Sequence, residues 1–218
     1  MKMSKLEVLG QDEIEQIHSA TLQLLSKVGI KIDCKNTQKK LGEYGCEVDK
    51  NSDFVRIPEA LVMEMVKKVP KSFTLNGPDA SFNFEVNTKS TQFATIGTPV
   101  KIYDPNKKKG VRKTLLADTI EQIRIVDALK HINCSHVDVW PNDVKYTALH
   151  AHAMYQWVMN TRKPYGLGCY GGLPSQDMMN IASIACGGDE ELIKNPRLVG
   201  FFSTTSPLHF PKIMTNGF

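Results

Sequence analysis

The chain has 218 residues, of which 41% are hydrophobic and 23% are charged, and its formal net charge is +4. This composition is ordinary for a globular protein and excludes a largely disordered chain. No stretch approaches the roughly 20 apolar residues of a membrane span, and residues 1–10 lack the apolar core of a signal peptide. The basic run at residues 107–109 lies between Asn106 and Gly110, which indicates a solvated loop rather than a nucleic-acid patch.

Cysteine usage bears on the compartment. The five cysteines are odd in number and show no C-x-x-C spacing, which favours reduced thiols over a disulfide framework or a metal site. We therefore expect a cytoplasmic protein.

The first hundred residues begin with helices and short strands. Apolar residues at helical spacing predict a helix over residues 12–28, with Asp12 as its N-cap and Gly29 at its end. Further predicted elements follow in chain order: a strand over 30–32, a helix over 36–44, a hairpin of strands 46–48 and 54–57, and a helix that Pro58 opens.

From Phe73 onward the apolar spacing changes to two, which we interpret as antiparallel strands. Residues 82–86, 91–96 and 100–103 share this pattern. Residues 1–113 are therefore expected to form a mixed α+β region. Apolar residues at spacings of three and four then predict a helix over 116–129.

The remaining residues, 114–218, show a different pattern of apolar residues. Three apolar runs with strand composition, residues 134–140, 164–170 and 197–204, alternate with helical stretches over 147–160 and 177–186. Such alternation predicts parallel strands joined by crossover helices, the first βα units of an α/β domain. Three strands cannot close a barrel, so a (β/α)8 barrel, which typically needs about 250 residues, would be present only in part.

Gly166, Gly168 and Gly171 satisfy the pattern G-x-G-x-x-G, which in a dinucleotide-binding fold brings backbone amides to a pyrophosphate at a helix start. Here Pro174 stands before the predicted helix, and the acidic residues that follow end no suitable strand. A tight loop at the end of a strand is therefore favoured over a dinucleotide site.

His150 and His152 are two residues apart on a predicted helix, so their side chains diverge by about 200° and do not favour a shared metal. His150 is expected to be a surface residue or a hydrogen-bonded core residue. Spacing alone identifies no catalytic nucleophile or general base.

Chemistry in parallel α/β barrels gathers at the carboxyl ends of the strands. Trp140 and Asp143 follow the first predicted strand, and Tyr170 ends the second. Two rings and a carboxylate can bind a cation, since each ring face attracts a quaternary ammonium by about 0.5 to 2 kcal/mol. We predict these three residues as substrate-binding. In the alternative, Trp140 packs beneath a loop and Asp143 caps the next helix.

Several short motifs occur in order along the chain. They are Glu13-Ile14-Glu15-Gln16-Ile17-His18, Leu24-Leu25-Ser26-Lys27-Val28-Gly29, Thr95-Ile96-Gly97-Thr98-Pro99, Arg112-Lys113-Thr114-Leu115, Ile125-Val126-Asp127-Ala128-Leu129, Trp140-Pro141-Asn142-Asp143 and Asn160-Thr161-Arg162-Lys163-Pro164. Together they resemble the amino-terminal half of the trimethylamine methyltransferase family. The resemblance covers residues 9–208.

The resemblance implies a TIM-barrel methyltransferase that passes a methyl group from a methylated amine to the cobalt of a corrinoid, as in methanogenesis. A separate partner protein carries the corrinoid, so this chain would bind no cofactor or metal directly. Family members that act on trimethylamine carry pyrrolysine, whereas others act on substrates such as glycine betaine, and the distinguishing positions lie in the family's later half. In the alternative, the chain is a catalytically incompetent fragment that acts only as a binding module. Nucleic-acid and membrane partners are not expected, and homo-oligomerisation is left open.

Overall fold

A computed structural model of the chain describes residues 7–95, 97–106, 108, 110–136, 139–168 and 170–217. The helices are α1 (Gln11–Gln23), α2 (Lys35–Glu43), α3 (Glu59–Lys68), α4 (Leu116–Ala128), α5 (Leu149–Asn160), α6 (Gly172–Cys186), α7 (Asp189–Lys194) and α8 (Lys212–Thr215). The strands are β1 (Ile30–Ile32), β2 (Glu47–Val48), β3 (Phe54–Arg56), β4 (Phe73–Leu75), β5 (Phe84–Val86), β6 (Lys101–Tyr103), β7 (Val111–Lys113), β8 (Ser135–His136), β9 (Tyr165–Gly168), β10 (Leu198–Phe201) and β11 (His209–Phe210).

The chain divides into two compact units. Unit 1 comprises the residues up to Val69 together with Thr204–Lys212, and unit 2 comprises Pro70–Ser203 together with the residues from Ile213 on. The predicted boundary at residue 113 therefore falls inside unit 2.

Unit 1 is built on a sheet with the strand order β11-β1-β3-β2. The predicted strands β1, β2 and β3 are present, and β3 pairs antiparallel with both of the others. Ile32, Cys34, Cys46 and Val55 form the buried core of this unit. The unpredicted strand β11 pairs in parallel with β1, and His209 Nε2 lies 2.6 Å from Asp33 Oδ2 beside this pairing.

The first helix begins earlier than predicted. Gly10 is its N-cap, and Glu13 Oε2 accepts a hydrogen bond from the Gly10 backbone N at 2.8 Å, so Asp12 lies within the first turn. The helix continues as a π-helical turn to Val28 and ends at Gly29 as predicted. Gly29 has a φ of 85°, and a Cβ there would lie 2.5 Å from the Val55 carbonyl oxygen, so only glycine fits.

Unit 2 contains the predicted parallel strands. β8, β9 and β10 form one sheet in the order β10-β9-β8, and both pairings are parallel. The parallel arrangement of the three predicted runs is thereby confirmed. Val137, Asp138 and Cys169, which fall within those runs, lie outside the described residues.

Residues 93–95 extend this sheet beyond β8. Ala94 forms a parallel bridge with Cys134, and the Thr95 backbone N donates to the Cys134 carbonyl oxygen at 3.3 Å. The prediction of an antiparallel strand here is therefore wrong. An apolar spacing of two reports only that alternate side chains face opposite sides, and this holds for both strand directions.

Helices α4 to α7 pack against one face of the parallel sheet. They share a single buried core, formed by Ile123 of α4, Met154 and Trp157 of α5, Tyr165 of β9, Met178 and Ala182 of α6, and Leu192 of α7. The fold is thus a mixed α/β arrangement with several small sheets, and the described residues form no closed barrel.

Strands β5 and β6 fall within the predicted runs 82–86 and 100–103 and are antiparallel as predicted, whereas β7 was not predicted. The two pairs, β4–β5 and β6–β7, are hairpins. Backbone hydrogen bonds fasten them to the rest of unit 2. The Asn76 N donates to the Pro196 carbonyl oxygen at 2.9 Å, and the Trp140 N donates to the Pro99 carbonyl oxygen at 3.1 Å. These long-range bonds explain why residues 70–113 belong to unit 2.

Lys163 connects the end of α4 to the start of β9. Its side chain is only 2% exposed, and its Nζ donates to the carbonyl oxygens of Val126, Leu129 and Ile132 at 2.6, 2.7 and 2.8 Å. These carbonyls lie at and beyond the end of a helix, where the backbone supplies no N–H partner and the dipole favours a cation. The ammonium group therefore holds the two elements together.

Cys46 and Cys186 carry free thiols. In the described part of the chain, no helix has both the length and the apolar character needed to cross a membrane.

Candidate functional site

The two faces of strand β9 differ in side-chain size. Tyr165 is buried beneath the helices, and because side chains alternate along a strand, Gly166 and Gly168 share the opposite face. A Cβ on Gly166 would overlap the imidazole of His136, and a Cβ on Gly168 would overlap the ring of Tyr170. The two glycines therefore leave room for two rings against the backbone of β9.

His136 lies on the same face of the sheet as Gly166, with which it is paired in register. Its ring meets Phe201 of β10 edge to face, with centroids 5.7 Å apart. Burial lowers the pKa of His136, so its imidazole is neutral at pH 7.

The glycine motif leads directly into a helix. α6 begins at Gly172 with Gly171 as its N-cap, so Pro174 lies within the first turn, where proline is tolerated. The prediction that Pro174 separates the motif from the helix is wrong. The dinucleotide reading is nevertheless disfavoured, because α4 to α7 share one face of the sheet, whereas dinucleotide-binding folds place helices on both faces.

Four rings gather where β8 and β9 end. We call this set, Trp140, Tyr146, His150 and Tyr170, the ring cluster. His150 and Tyr170 stack with their centroids 5.1 Å apart. Trp140 meets both of them edge to face, with centroid distances of 5.5 Å to His150 and 5.9 Å to Tyr170. The ring centroids of Tyr146 and Trp140 are 6.0 Å apart, and Tyr146 is 59% exposed. The structure thus brings the predicted residues Trp140 and Tyr170 together, with the exposed ring of Tyr146 beside Trp140.

Neither Tyr146 nor His150 was predicted from the sequence as substrate-binding, and of these two His150 is the buried one. It is 4% exposed, and its buried Nε2 has no hydrogen-bond partner in the described part of the chain. Neither predicted role, surface residue or hydrogen-bonded core residue, describes it. Burial lowers the pKa of His150, so the ring that faces Tyr170 is uncharged at pH 7.

His152 is exposed, whereas His150 is buried, so the two do not share a site. Over the described ranges, no group of three or more His, Cys, Asp or Glu side chains is arranged to hold a metal ion.

Hydrogen bonds hold the loop that carries Trp140 against two neighbouring segments of the chain. Thr114 Oγ1 donates to the Trp140 carbonyl oxygen at 2.5 Å. Asn142 Nδ2 donates to Thr114 Oγ1 at 2.8 Å and to the Val100 carbonyl oxygen at 3.0 Å. These bonds fix the backbone of the loop, so the indole of Trp140 is held in place within the cluster.

Asp143 is exposed and engages a helix. Its Oδ1 accepts a hydrogen bond at 2.8 Å from the backbone N of Leu116, the first residue of α4. The carboxylate therefore caps the preceding helix α4, rather than the next helix named in the alternative. A role of Asp143 in substrate binding stays a prediction, as do those of Trp140 and Tyr170.

Comparison with known proteins decides the family. The family model for trimethylamine methyltransferase (MTTB) matches residues 1–218, the whole chain. The chain belongs to the trimethylamine methyltransferase family.

Three relatives from this family illustrate the similarity. Trimethylamine methyltransferase MttB of Desulfitobacterium hafniense strain DCB-2 is 28% identical over 199 residues, which cover 91% of this chain and 40% of that protein. Trimethylamine methyltransferase MttB1 of Methanosarcina acetivorans is 29% identical, with 94% and 42% covered. Glycine betaine methyltransferase of D. hafniense strain Y51 is 24% identical, with 97% and 44% covered. The chain thus spans about two fifths of the length of these relatives.

Proposed function

We propose that this chain contributes to a methyltransferase that moves a methyl group from a methylated amine to the cobalt of a corrinoid on a partner protein. The amine is trimethylamine or a quaternary amine such as glycine betaine. The family match over the whole chain carries this proposal, and the names of the relatives supply the two amines.

The corrinoid acts as the methyl acceptor. Its cobalt, in the nucleophilic Co(I) state, forms a bond to the methyl carbon while the carbon–nitrogen bond breaks and its electron pair stays on nitrogen. A quaternary ammonium leaves as a neutral amine, whereas trimethylamine must first gain a proton or another activating group. The work of this chain is to bind the cationic amine, to exclude water and to orient the methyl group.

The ring cluster suits the binding part of this work. Trp140 is half-buried and Tyr146 is exposed, so both can offer ring surface to a trimethylammonium group at about 0.5 to 2 kcal/mol per ring. His150 is neutral and therefore does not repel a cation. Asp143, which follows Trp140 by three residues in the chain, adds a negative charge.

We extend the proposal to the architecture and infer a partial TIM barrel. Parallel strands in sequential order, with the crossover helices on one face, are the arrangement of a (β/α)8 barrel and differ from a doubly wound sheet. Residues 93–95, β8, β9 and β10 follow that order, and α4 to α7 pack on one side of them. On this proposal, Gly166 and Gly168 face the barrel interior.

A second candidate function is a binding module without turnover. It differs from the enzyme in one respect, since the ring cluster would bind an amine without transferring its methyl group.

A calorimetric titration tests amine recognition. The ligands are glycine betaine and its uncharged-head isostere 3,3-dimethylbutanoate, which replaces the ammonium nitrogen with carbon. We expect betaine to bind about tenfold or more tightly, because only the cation is attracted to ring faces. Trp140→Ala should reduce this preference, because one of the two accessible rings is lost, and Tyr155→Ala, at an exposed position of α5 outside the cluster, should keep it. Equal binding of the two ligands would remove the ring cluster as an amine site.

The formation of methylcobalamin separates the two candidate functions. The chain is mixed with reduced cobalamin and trimethylamine or glycine betaine, and the absorbance change of the cobalt is followed. Turnover that Trp140→Ala lowers supports the enzyme, whereas amine binding without turnover supports the module.

A further inference from the structure

The β6–β7 hairpin concentrates the positive charge of the chain. Residues 101–113 carry six basic side chains and one acidic side chain, a net charge of +5, whereas the whole chain sums to +4. The other residues are therefore close to neutral as a set. The basic members are Lys101, Lys107, Lys108, Lys109, Arg112 and Lys113. Charge gathered in so short a segment attracts an anionic partner to one place on the surface.

Four residues of the hairpin share one exposed face. Lys101 stands opposite Lys113 in the antiparallel pairing, and Tyr103 stands opposite Val111. All four are exposed, with Tyr103 at 72% and Val111 at 54%. Because side chains alternate along a strand, these residues lie on the same side of the hairpin. We call this set the hairpin face, and it joins a pair of cations to a pair of apolar side chains.

The two lysines of the hairpin face have no counterion in the described part of the chain. Neither Lys101 nor Lys113 forms an ion pair with any residue there. Like charges directly opposite each other across two strands repel, so the pairing of these lysines is unfavourable as it stands. An acidic group placed between them would turn this repulsion into attraction.

The side of the hairpin opposite this face is anchored. Arg112 donates two hydrogen bonds to the Asp118 carboxylate of α4, both at 2.7 Å, and a third to Asp104 at 3.0 Å. A Cβ on Gly110 would overlap the ring of Tyr103, so glycine allows this ring to lie against the backbone of the turn. The hairpin face is therefore presented by a fixed support.

The base of the hairpin adjoins the ring cluster. Thr114 directly follows β7, and its Oγ1 donates to the Trp140 carbonyl oxygen. Val100 directly precedes β6, and its carbonyl oxygen accepts from Asn142 Nδ2 at 3.0 Å. The lysine pair, at the base end of both strands, is thus the part of the hairpin face next to the Trp140 loop.

We propose that the hairpin face is the docking surface for an acidic surface of a partner protein. Tyr103 and Val111 supply the apolar and aromatic centre that is typical of protein interfaces, and the lysines steer and orient the partner. Each strand has three residues and spans about 10 Å, which is shorter than the four or more nucleotides of a single-stranded nucleic-acid site. The inference goes beyond the proposed function and does not depend on amine recognition.

Titration calorimetry with an acidic peptide tests the surface. The probe has about 16 residues in Glu-Glu-Leu-Glu repeats, and we expect a Kd of about 100 μM or tighter in about 50 mM salt, weakened about tenfold in about 0.5 M salt. The same peptide with glutamine for glutamate should not bind. No binding of the acidic peptide at about 1 mM would overturn the proposal.

A third peptide, with serine for leucine, tests the apolar part of the hairpin face. It should bind about threefold or more weakly than the leucine peptide, because it offers no apolar side chain to Tyr103 and Val111. Equal affinities of the two acidic peptides would reduce the interaction to charge attraction alone and would overturn a protein-docking surface.

A charge reversal that leaves the hairpin folded locates the contact. Lys101→Glu should weaken peptide binding by about tenfold or more, while it places opposite charges across the strands and so keeps or raises the urea midpoint. Lys39→Glu makes the same charge change at an exposed position of α2 and should leave the affinity nearly unchanged. Equal losses of affinity in the two variants would mean that the net charge of the chain, and not the hairpin face, attracts the peptide.

A single-stranded DNA oligonucleotide of the same charge tests the competing class of partner at about 150 mM salt. Weaker binding than that of the acidic peptide supports a protein partner. Tighter binding that Lys101→Glu abolishes would assign the hairpin face to nucleic acid and overturn the proposal. Because the hairpin face shares no residue with the ring cluster, the amine titration is read separately, and either idea can fail without the other.

Discussion

The two faces of the four-residue strand β9 differ in the size of the side chains that they carry. On one side Tyr165 packs with Trp157 beneath α5, and both are almost fully buried. On the other side Gly166 and Gly168 supply no side chains, and rings from neighbouring segments fill the space. The large side chains serve stability on the covered face, and the glycines make room for the rings of His136 and Tyr170 on the other.

This division implies different responses to substitution. A truncation on the covered face leaves a cavity that the close-packed helices cannot fill, so it should lower the free energy of unfolding without changing ligand preference. An added methyl group on the glycine face should instead displace the rings, so ligand affinity should respond together with stability.

The largest expected effect is on the covered face. Trp157→Ala should lower the free energy of unfolding by about 3–5 kcal/mol, because it removes a fully buried ring from the core. Urea denaturation followed by circular dichroism measures it. Trp157→Phe should cost far less, since the Trp157 Nε1 has no hydrogen-bond partner in the described chain and little polar interaction is lost. A cost below about 1 kcal/mol for the alanine variant would show that this face is not tightly packed.

The next effect concerns the join between helix and strand. Lys163→Met should cost about 2–4 kcal/mol, because three carbonyl oxygens at and beyond the end of α4 lose their shared donor. Lys130→Met removes an exposed lysine nearby and is expected to change stability by less than about 0.5 kcal/mol. Similar unfolding midpoints for the two variants would contradict a structural role for the buried ammonium.

Local periodicity predicted the elements that local packing determines. The helix expected over residues 116–129 is α4, Leu116–Ala128, and the three apolar runs are parallel strands. Elements that depend on distant pairing carried no such signal. β11 has two residues and exists because it pairs with β1 far away in the chain, and residues 93–95 are parallel because Cys134 lies beside them.

The candidate site was predictable in part. Trp140 and Tyr170 were found because both follow strands, and parallel strands bring their ends together. His150 was missed although its signal was present: it precedes Ala153, Met154 and Trp157 at spacings of three, four and seven, the buried stripe of α5. A spacing argument aimed only at metal ligands overlooked this stripe.

A smaller effect is expected on the glycine face. Gly168→Ala should lower stability by about 1–3 kcal/mol, because its Cβ must displace the ring of Tyr170. If the ring cluster binds amines, the affinity for glycine betaine should fall more than tenfold while the folded fraction stays high. Titration calorimetry measures the affinity for glycine betaine, and urea denaturation measures the stability. Unchanged affinity in a folded variant would separate Tyr170 from the amine site.

The smallest effect depends on pH and compares buried His150 with exposed His152. Burial lowers the pKa of His150 in the folded state below its ordinary value of 6.5. At pH values between the lowered pKa and 6.5, the unfolded chain therefore binds more protons than the folded chain. Stability is therefore fully present above pH 6.5 and is lost as the pH falls through that window, with a slope of at most about 1.4 kcal/mol per pH unit from this group. His136 contributes in the same direction, so the measurement is a difference between variants.

Urea denaturation at pH 7.5, 6.5 and 5.5 provides this difference. His150→Phe keeps the ring stack and removes the titrating group, so its stability should fall less steeply between pH 6.5 and 5.5 than that of the unmodified chain. His152→Phe is the matched control and should keep the full slope, because it leaves His150 in place. Parallel curves for the unmodified chain and His150→Phe would contradict the prediction that the buried His150 contributes to the pH dependence of stability.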